Sequence, residues 1–167
     1  YMGTLTRGKE HSVFKLGNAS LGPSICYEDI FPELCRAPVN KGANILMSIS
    51  NDAWFQKSSG AQQHRIHAVF RAVENARPFI RNGNNSDSCI ILPNGKTVGL
   101  LRGPSSRFYR GYRIYDVPIL TNPKLTFYTK YGNIFAYICN TVSLFGIYYL
   151  LYRFLDRKKR LHEKIKR

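Results

Sequence analysis

Near the start of the chain one cysteine is followed at once by three side chains that can donate, accept or carry charge: Cys26-Tyr27-Glu28-Asp29, at the end of the apolar run Leu21-Gly22-Pro23-Ser24-Ile25. A thiolate is a strong nucleophile, but a free thiol titrates near ~8.5, so a base and a positive charge must help it ionise. The run predicts a strand, and its charged end places the thiol at a strand-to-helix corner. Open α/β sheets hold ligands beyond the carboxyl ends of their strands, where a following backbone N–H can face a developing oxyanion. A cysteine in an apolar strand is also suited to inert packing, so position by itself leaves both readings standing.

Other chemistry-bearing residues are fewer. Trp54-Phe55 follows the turn-forming Asn51-Asp52 and precedes Gln56-Lys57-Ser58-Ser59-Gly60, which suits either an aromatic flap or an inward-packed indole. His64 and His67, three apart, could pair as metal ligands, but no third ligand is in view, and Cys26, Cys35, Cys89 and Cys139 have no metal-ligand spacing. We therefore expect helix packing or capping for the histidines, and neither a metal nor another cofactor. Arg71, Glu74, Arg77 and Arg81 read as ion pairs that fix a helix to a sheet rather than as substrate contacts.

These residues need elements to position them. Val13 to Leu16 and Leu21 to Cys26 predict strands around Gly17-Asn18-Ala19, a helix runs from about Phe31 to Lys41, and Asn44 to Ile49 is an apolar run typical of a sheet covered on both faces. Together they form a β-α-β unit. Gln62 to Asn75 places Ile66, Val69, Phe70 and Val73 at the spacing of a half-buried helix, ended by Pro78. Ser88 to Leu92 and Thr97 to Leu101 flank Pro93-Asn94-Gly95-Lys96, a hairpin signal, and Ile114 to Ile119 predicts one more strand after a Gly/Ser/Arg-rich loop over 103–113.

The 167 residues hold 25 Lys+Arg against 10 Asp+Glu, a formal charge of +15, of which +6 lies between Arg153 and the carboxyl terminus. Immediately before that cluster, residues 131–152 carry no charge at all. A bilayer core takes roughly 20 helical residues. Tyr128, Tyr131 and Phe135 at one end and Tyr149, Tyr152 and Phe154 at the other fit an aromatic belt, and the basic cluster marks the cytoplasmic end. A nucleic-acid reader would carry its Lys, Arg and aromatics on a folded face, so the charge is read as membrane topology and no nucleic-acid partner is expected.

The segment Gly22-Pro23-Ser24-Ile25-Cys26-Tyr27-Glu28-Asp29-Ile30-Phe31-Pro32-Glu33 resembles the nucleophile segment of the nitrilase superfamily. Ser48-Ile49-Ser50-Asn51-Asp52-Ala53-Trp54-Phe55, Gln63-His64, Arg71-Ala72-Val73-Glu74 and Ala76-Arg77-Pro78 are similar to the superfamily's membrane branch, the apolipoprotein N-acyltransferases. So are Pro93-Asn94-Gly95-Lys96 and the stretch Leu125 to Asn133. The resemblance covers roughly residues 12 to 155. Gly83 to Ser88 departs from it, with Ser86 and Asp87 where the family has glycine and an aliphatic residue.

The resemblance implies a fold and a chemistry. The fold is α/β, part of an α-β-β-α nitrilase-like sandwich, followed by one carboxyl-terminal transmembrane helix. It divides into a catalytic domain over 1–125, an interface linker over 126–133, the membrane helix over 134–153 and a basic cytoplasmic tail over 154–167. The chemistry is transfer of an acyl chain from a phospholipid, through a cysteine thioester, to the α-amino group of a diacylglyceryl-cysteine lipoprotein. Cys26 matches the nucleophile, Tyr27 the residue whose backbone N–H holds the oxyanion, Glu28 a supporting glutamate, and Trp54 and Phe55 an aromatic lid at the acyl site. The location implied is the bacterial inner membrane, with the catalytic domain on its outer face.

The family's base glutamate and lysine lie upstream of the cysteine, and Lys9, Glu10 and Lys15 do not match them. With Tyr1 in first position and no signal-peptide pattern, the expectation is the carboxyl-terminal part of a longer enzyme. A catalytically incomplete, membrane-tethered remnant and a soluble carbon-nitrogen hydrolase are the alternatives.

Overall fold

The apolar runs pair into one six-stranded sheet in the computed structural model, which describes residues 6, 8–56, 58–102 and 110–166. Its strands are β1 (Phe14–Leu16), β2 (Ala19–Ile25), β3 (Ile45–Asn51), β4 (Phe79–Asn84), β5 (Cys89–Ile91) and β6 (Thr97–Val98), in that spatial order. β2, β3 and β4 run parallel, and the other pairs are antiparallel. Parallel neighbours need crossovers, supplied by α1 (Pro32–Asn40) and α2 (Gly60–Asn75). Pro32 opens α1, where its missing N–H costs nothing.

Both helices lie on one face of the sheet. Cys35 and Val39 of α1 and Ala68 and Ala72 of α2 share a core with Leu46, Phe79, Cys89 and Ile91. Because strand side chains alternate, Leu46, Ser48 and Ser50 are buried while the alternate neighbour Ile49 is exposed. Ile25 pairs with Ile49 and is likewise exposed, so the far face ends in uncovered apolar side chains. One helical layer on one sheet is half of the α-β-β-α sandwich that the sequence implies. Gly22 sets the spacing of the layers: a Cβ there would stand 2.9 Å from Pro38 Cβ.

The hairpin forms as expected, with Ile91 opposite Thr97. Gly95 takes φ +85°, while Asn94 accepts the Lys96 N–H on its side chain at 3.0 Å, so only one residue of the Asn-Gly pair is left-handed. Two expectations are corrected. Ile114 to Ile119 joins no strand; Ile114 is exposed, and Tyr115 instead packs on Gly99, whose missing Cβ would meet the ring at 2.1 Å. Most of the loop before it, 103–109, lies outside the described residues.

The second correction concerns α2, which buries Ala61, His64, Ala68, Arg71, Ala72 and Asn75, leaving Ile66, Phe70 and Val73 exposed. Val69 packs against the core as expected, but small residues let the helix approach the sheet and the polar groups on that face are paired, so apolar content pointed away from most of the buried stripe. Arg77, just past the helix, donates to the carbonyls of Ala43, Asn75, Ala76, Pro123 and Lys124. Burial depresses its pKa from the ordinary guanidinium value.

The chain divides into two units, Tyr1–Lys130 and Tyr131–Arg167. Within the first, buried Thr129 of α3 (Phe127–Tyr131) donates to Asn75 Oδ1 at 3.0 Å, and its carbonyl accepts from Arg36 and Asn40. The second is α4 (Ile134–Ile165), one continuous 32-residue helix about 48 Å long. It is long and apolar enough to cross a membrane, and it continues without a break into the basic segment.

Candidate active site

β2 stops at Ile25, and Cys26 opens a 3-10 turn, Cys26–Ile30, with φ +53°. A left-handed conformation costs an L-residue about 1–2 kcal/mol, and such strain is concentrated where a side chain must be re-aimed. The bend takes the chain off the strand axis and leaves the thiol half-buried and Tyr27 and Glu28 exposed at the carboxyl end of the parallel strands. Glu28 closes the turn: its Oε2 accepts the Ile25 N–H at 2.7 Å. Ser50 Oγ, from the carboxyl end of β3, lies 3.6 Å from Cys26 Sγ.

β3 ends in a matching turn, Asp52–Phe55, capped by Asn51, whose side chain accepts the Ala53 N–H at 3.2 Å. Trp54 is 84% exposed, which settles the indole against the core reading. Phe55 is partly buried and lies over Gly60, where a Cβ would meet its ring at 2.5 Å. The two turns thus bring Cys26, Tyr27 and Glu28 to one strand end and Trp54 and Phe55 to the next.

Beneath them Asp29, Asp52, His64 and Arg81 form one buried set of paired charges, a grouping that the sequence reading did not make. His64 is fully enclosed, with Nε2 2.8 Å from Asp29 Oδ1 and Nδ1 2.9 Å from Asp52 Oδ1. Arg81 donates to the other oxygens of the same carboxylates, Asp29 Oδ2 at 2.6 Å and Asp52 Oδ2 at 2.8 Å. Ser50 adds a hydroxyl 2.5 Å from Asp52 Oδ1, and Ser86 donates to Asp52 Oδ2. Two carboxylates and one guanidinium leave one negative charge, which a protonated imidazole cancels.

The pKa shifts follow that balance. Burial by itself would lower the His64 pKa, but its bonds to Asp29 and Asp52 outweigh burial and raise it from 6.5 to about 9. Burial would likewise raise Asp52, but hydrogen bonds from His64, Ser50 and Ser86 and the charge of Arg81 hold it well below the carboxylate range. Cys35 and Cys89 are pushed up, chiefly by burial, to about 12 and about 11, so both are inert thiols.

His64 is thus packed on the buried face of α2, and Arg81 ties β4 to that helix through the two carboxylates it shares with His64. The departures at Ser86 and Asp87 are built into the surroundings: Ser86 serves Asp52, and buried Asp87 pairs with Arg65 at 3.2 Å. The available signal was the spacing of His64 with Ala61, Ala68, Arg71, Ala72 and Asn75, a helical stripe of small and polar residues. Among the described residues no cluster of His, Cys, Asp and Glu could hold a metal ion.

A parallel-stranded α/β layer with a kinked cysteine at a strand end defines a class, and the family description Carbon-nitrogen hydrolase matches residues 2–119: the chain belongs to the carbon-nitrogen hydrolase family. Its relatives are more particular. It is 32% identical to Apolipoprotein N-acyltransferase 1 of Treponema denticola over 92% of this chain and 28% of that protein. It is 36% identical to the apolipoprotein N-acyltransferase of Borreliella burgdorferi over 92% and 28%, and 39% identical to that of Rickettsia prowazekii over 80% and 26%. The chain thus spans about a quarter of the length of the curated relatives it matches. A mutant of the amidase from Nesterenkonia sp. AN1 shares the fold, with a TM-score of 0.50 at 24% identity over 58% of this chain and 39% of that one.

Proposed function

We propose that this chain is the carboxyl-terminal part of an apolipoprotein N-acyltransferase in which Cys26 carries the acyl group. The observation that carries the reading is the left-handed Cys26 at the end of β2, inside a segment related over most of its length to proteins of that name. The Cys26 thiolate attacks the ester carbonyl of a phospholipid. A tetrahedral oxyanion forms against backbone N–H groups of the turn, Tyr27 among them, and collapses to a thioester as the lysophospholipid alkoxide leaves and takes a proton. The α-amine of a diacylglyceryl-cysteine lipoprotein then attacks the thioester, forming an amide, losing a proton and returning the thiolate. No cofactor enters either step.

Glu28 holds the turn, and the exposed Trp54 with Phe55 offers an apolar flap for the acyl chain. The base and the cation that ionise Cys26 are assigned to the part of the whole protein that its relatives' greater length leaves room for. The α4 helix is assigned to the bacterial inner membrane, with residues 134–153 spanning, 126–133 at the interface and 154–167 cytoplasmic, which puts 1–125 at the outer face.

The test is to incubate the full-length enzyme with phospholipid vesicles and analyse Cys26 peptides by mass spectrometry, then add a diacylglyceryl-cysteine peptide. A thioester on Cys26 that is discharged by the peptide, and is absent in Cys26→Ala, is the expected result. Lipid binding without a thioester would instead favour the membrane-tethered remnant, and hydrolysis of a small amide without lipid would favour a carbon-nitrogen hydrolase.

A further inference from the structure

The buried charges join elements that are distant in sequence. Asp29 belongs to the same 3-10 turn as Cys26, Asp52 to the same turn as Trp54 and Phe55, His64 to α2 and Arg81 to β4. His64 bonds to both turns, one through each ring nitrogen. Its ring also lies 5.4 Å from that of Tyr27 and 6.3 Å, edge-on, from that of Phe55. Ser50 closes the circuit, within reach of both Asp52 Oδ1 and Cys26 Sγ. Its single hydroxyl proton can serve only one of them at a time, so the state of the carboxylate is felt at the sulfur.

We propose that His64, as an imidazolium, is a positioning residue that locks the Cys26 turn to the Trp54-Phe55 turn, so that nucleophile and aromatic flap keep one geometry. This rests on the assignment of Cys26 as nucleophile. The geometry requires the charged form, because only an imidazolium donates from both nitrogens, and both acceptors are carboxylates. The groups that face the ring are Asp29 and Tyr27 from one turn, Asp52 and Phe55 from the other, and Arg81, from β4, across the two carboxylates. The first two pairs hold it, and Arg81 opposes its charge. A neutral imidazole must release one turn, and that turn then opens independently of the other.

Two readouts on the full 167-residue chain in detergent micelles test this without acyl transfer: peptide-resolved iodoacetamide labelling of Cys26, and emission of Trp54, the chain's one tryptophan. In His64→Gln we expect the Cys26 labelling rate to change roughly tenfold, the factor one charge-assisted hydrogen bond gives a local opening, while the Trp54 emission shifts with it. Cys35 and Cys89 should remain protected. Labelling and emission equal to the parent chain overturn the proposal. Should His64→Gln expose Cys35 and Cys89, the parent chain decides: its Trp54 emission should shift with a midpoint near the His64 pKa of about 9 at unchanged far-ultraviolet circular dichroism. A flat profile there overturns it. An enzyme that forms no thioester would refute the acyltransferase reading and leave both readouts to be judged by themselves.

Discussion

Raising the pH should remove one specific part of the stability of the α/β layer. The His64 pKa is raised from 6.5 to about 9 by its carboxylate partners, so the folded chain binds this proton more tightly than the unfolded one. A raised folded-state value gives stability that is fully present below about pH 6.5 and is lost as pH rises through about 9. At about 1.4 kcal/mol per pKa unit, the shift is worth about 3 kcal/mol. For a layer of this size that is roughly 10 °C in Tm between pH 6 and pH 10. The measurement is thermal unfolding in detergent micelles by circular dichroism, with His64→Gln as reference, because lysines and tyrosines titrate in the same range. The difference between parent and variant should shrink as pH rises. A difference that is constant from pH 6 to pH 10 would refute the assignment of an imidazolium between Asp29 and Asp52. Asp52 works with the opposite sign: its depressed pKa gives stability that is lost on acidification below the ordinary carboxylate range.

Other substitutions read the framework. Gly60→Ala sets a Cβ 2.5 Å from the Phe55 ring, so it should turn that ring out and cost about 1–3 kcal/mol in urea titrations, with Trp54 emission altered. Arg77→Lys keeps the charge but cannot span carbonyls from the end of α2, the approach to β3 and residues 123–124; a Tm lowered by more than roughly 5 °C is expected, and an unchanged Tm would deny the guanidinium its clamping role. Brief iodoacetamide treatment of the parent chain near neutral pH should label Cys26 well ahead of Cys35 and Cys89, whose pKa values of about 12 and about 11 leave almost no thiolate.

Most strands were legible because they rest on short-range signals, apolar runs of strand length with Gly17-Asn18 and Asn94-Gly95 at turns and Pro78 closing the helix that precedes β4; β4 itself was not, because Arg81, Asn82 and Asn84 interrupt its apolar pattern. The cysteine corner was legible from the same kind of signal. The site's underside was not, because its residues are polar and their burial depends on partners far along the chain. Asp29 meets Arg81 and His64 only once β4 and α2 have come to rest beside the first turn. A periodicity argument credits apolar side chains with burial, and so it chose Ile66, Phe70 and Val73 over the alanine stripe. Ile114 to Ile119 failed differently: its composition suits a strand, but it finds no edge to pair with, and backbone pairing is a property of the neighbour as much as of the segment.

The distribution of polar pairing around Cys26 is one-sided, and that bears on how the chemistry is divided. On the helix side every carboxylate oxygen of Asp29 and Asp52 has a partner, and with His64 charged the cluster is neutral. A neutral cluster whose carboxylate oxygens are all paired has no base to spare, since an imidazolium has no lone pair for the thiol's proton and a carboxylate that took it would lose its pairing. The cluster is therefore suited to holding the two turns and unsuited to ionising the thiol. On the other side, Ile25 at the end of β2 and its partner Ile49 in β3 leave uncovered apolar side chains beside the turn. Groups that ionise Cys26 in the proposed reaction have to approach from there, and covering that sheet face would also remove water from the thiolate and strengthen every charge acting on it.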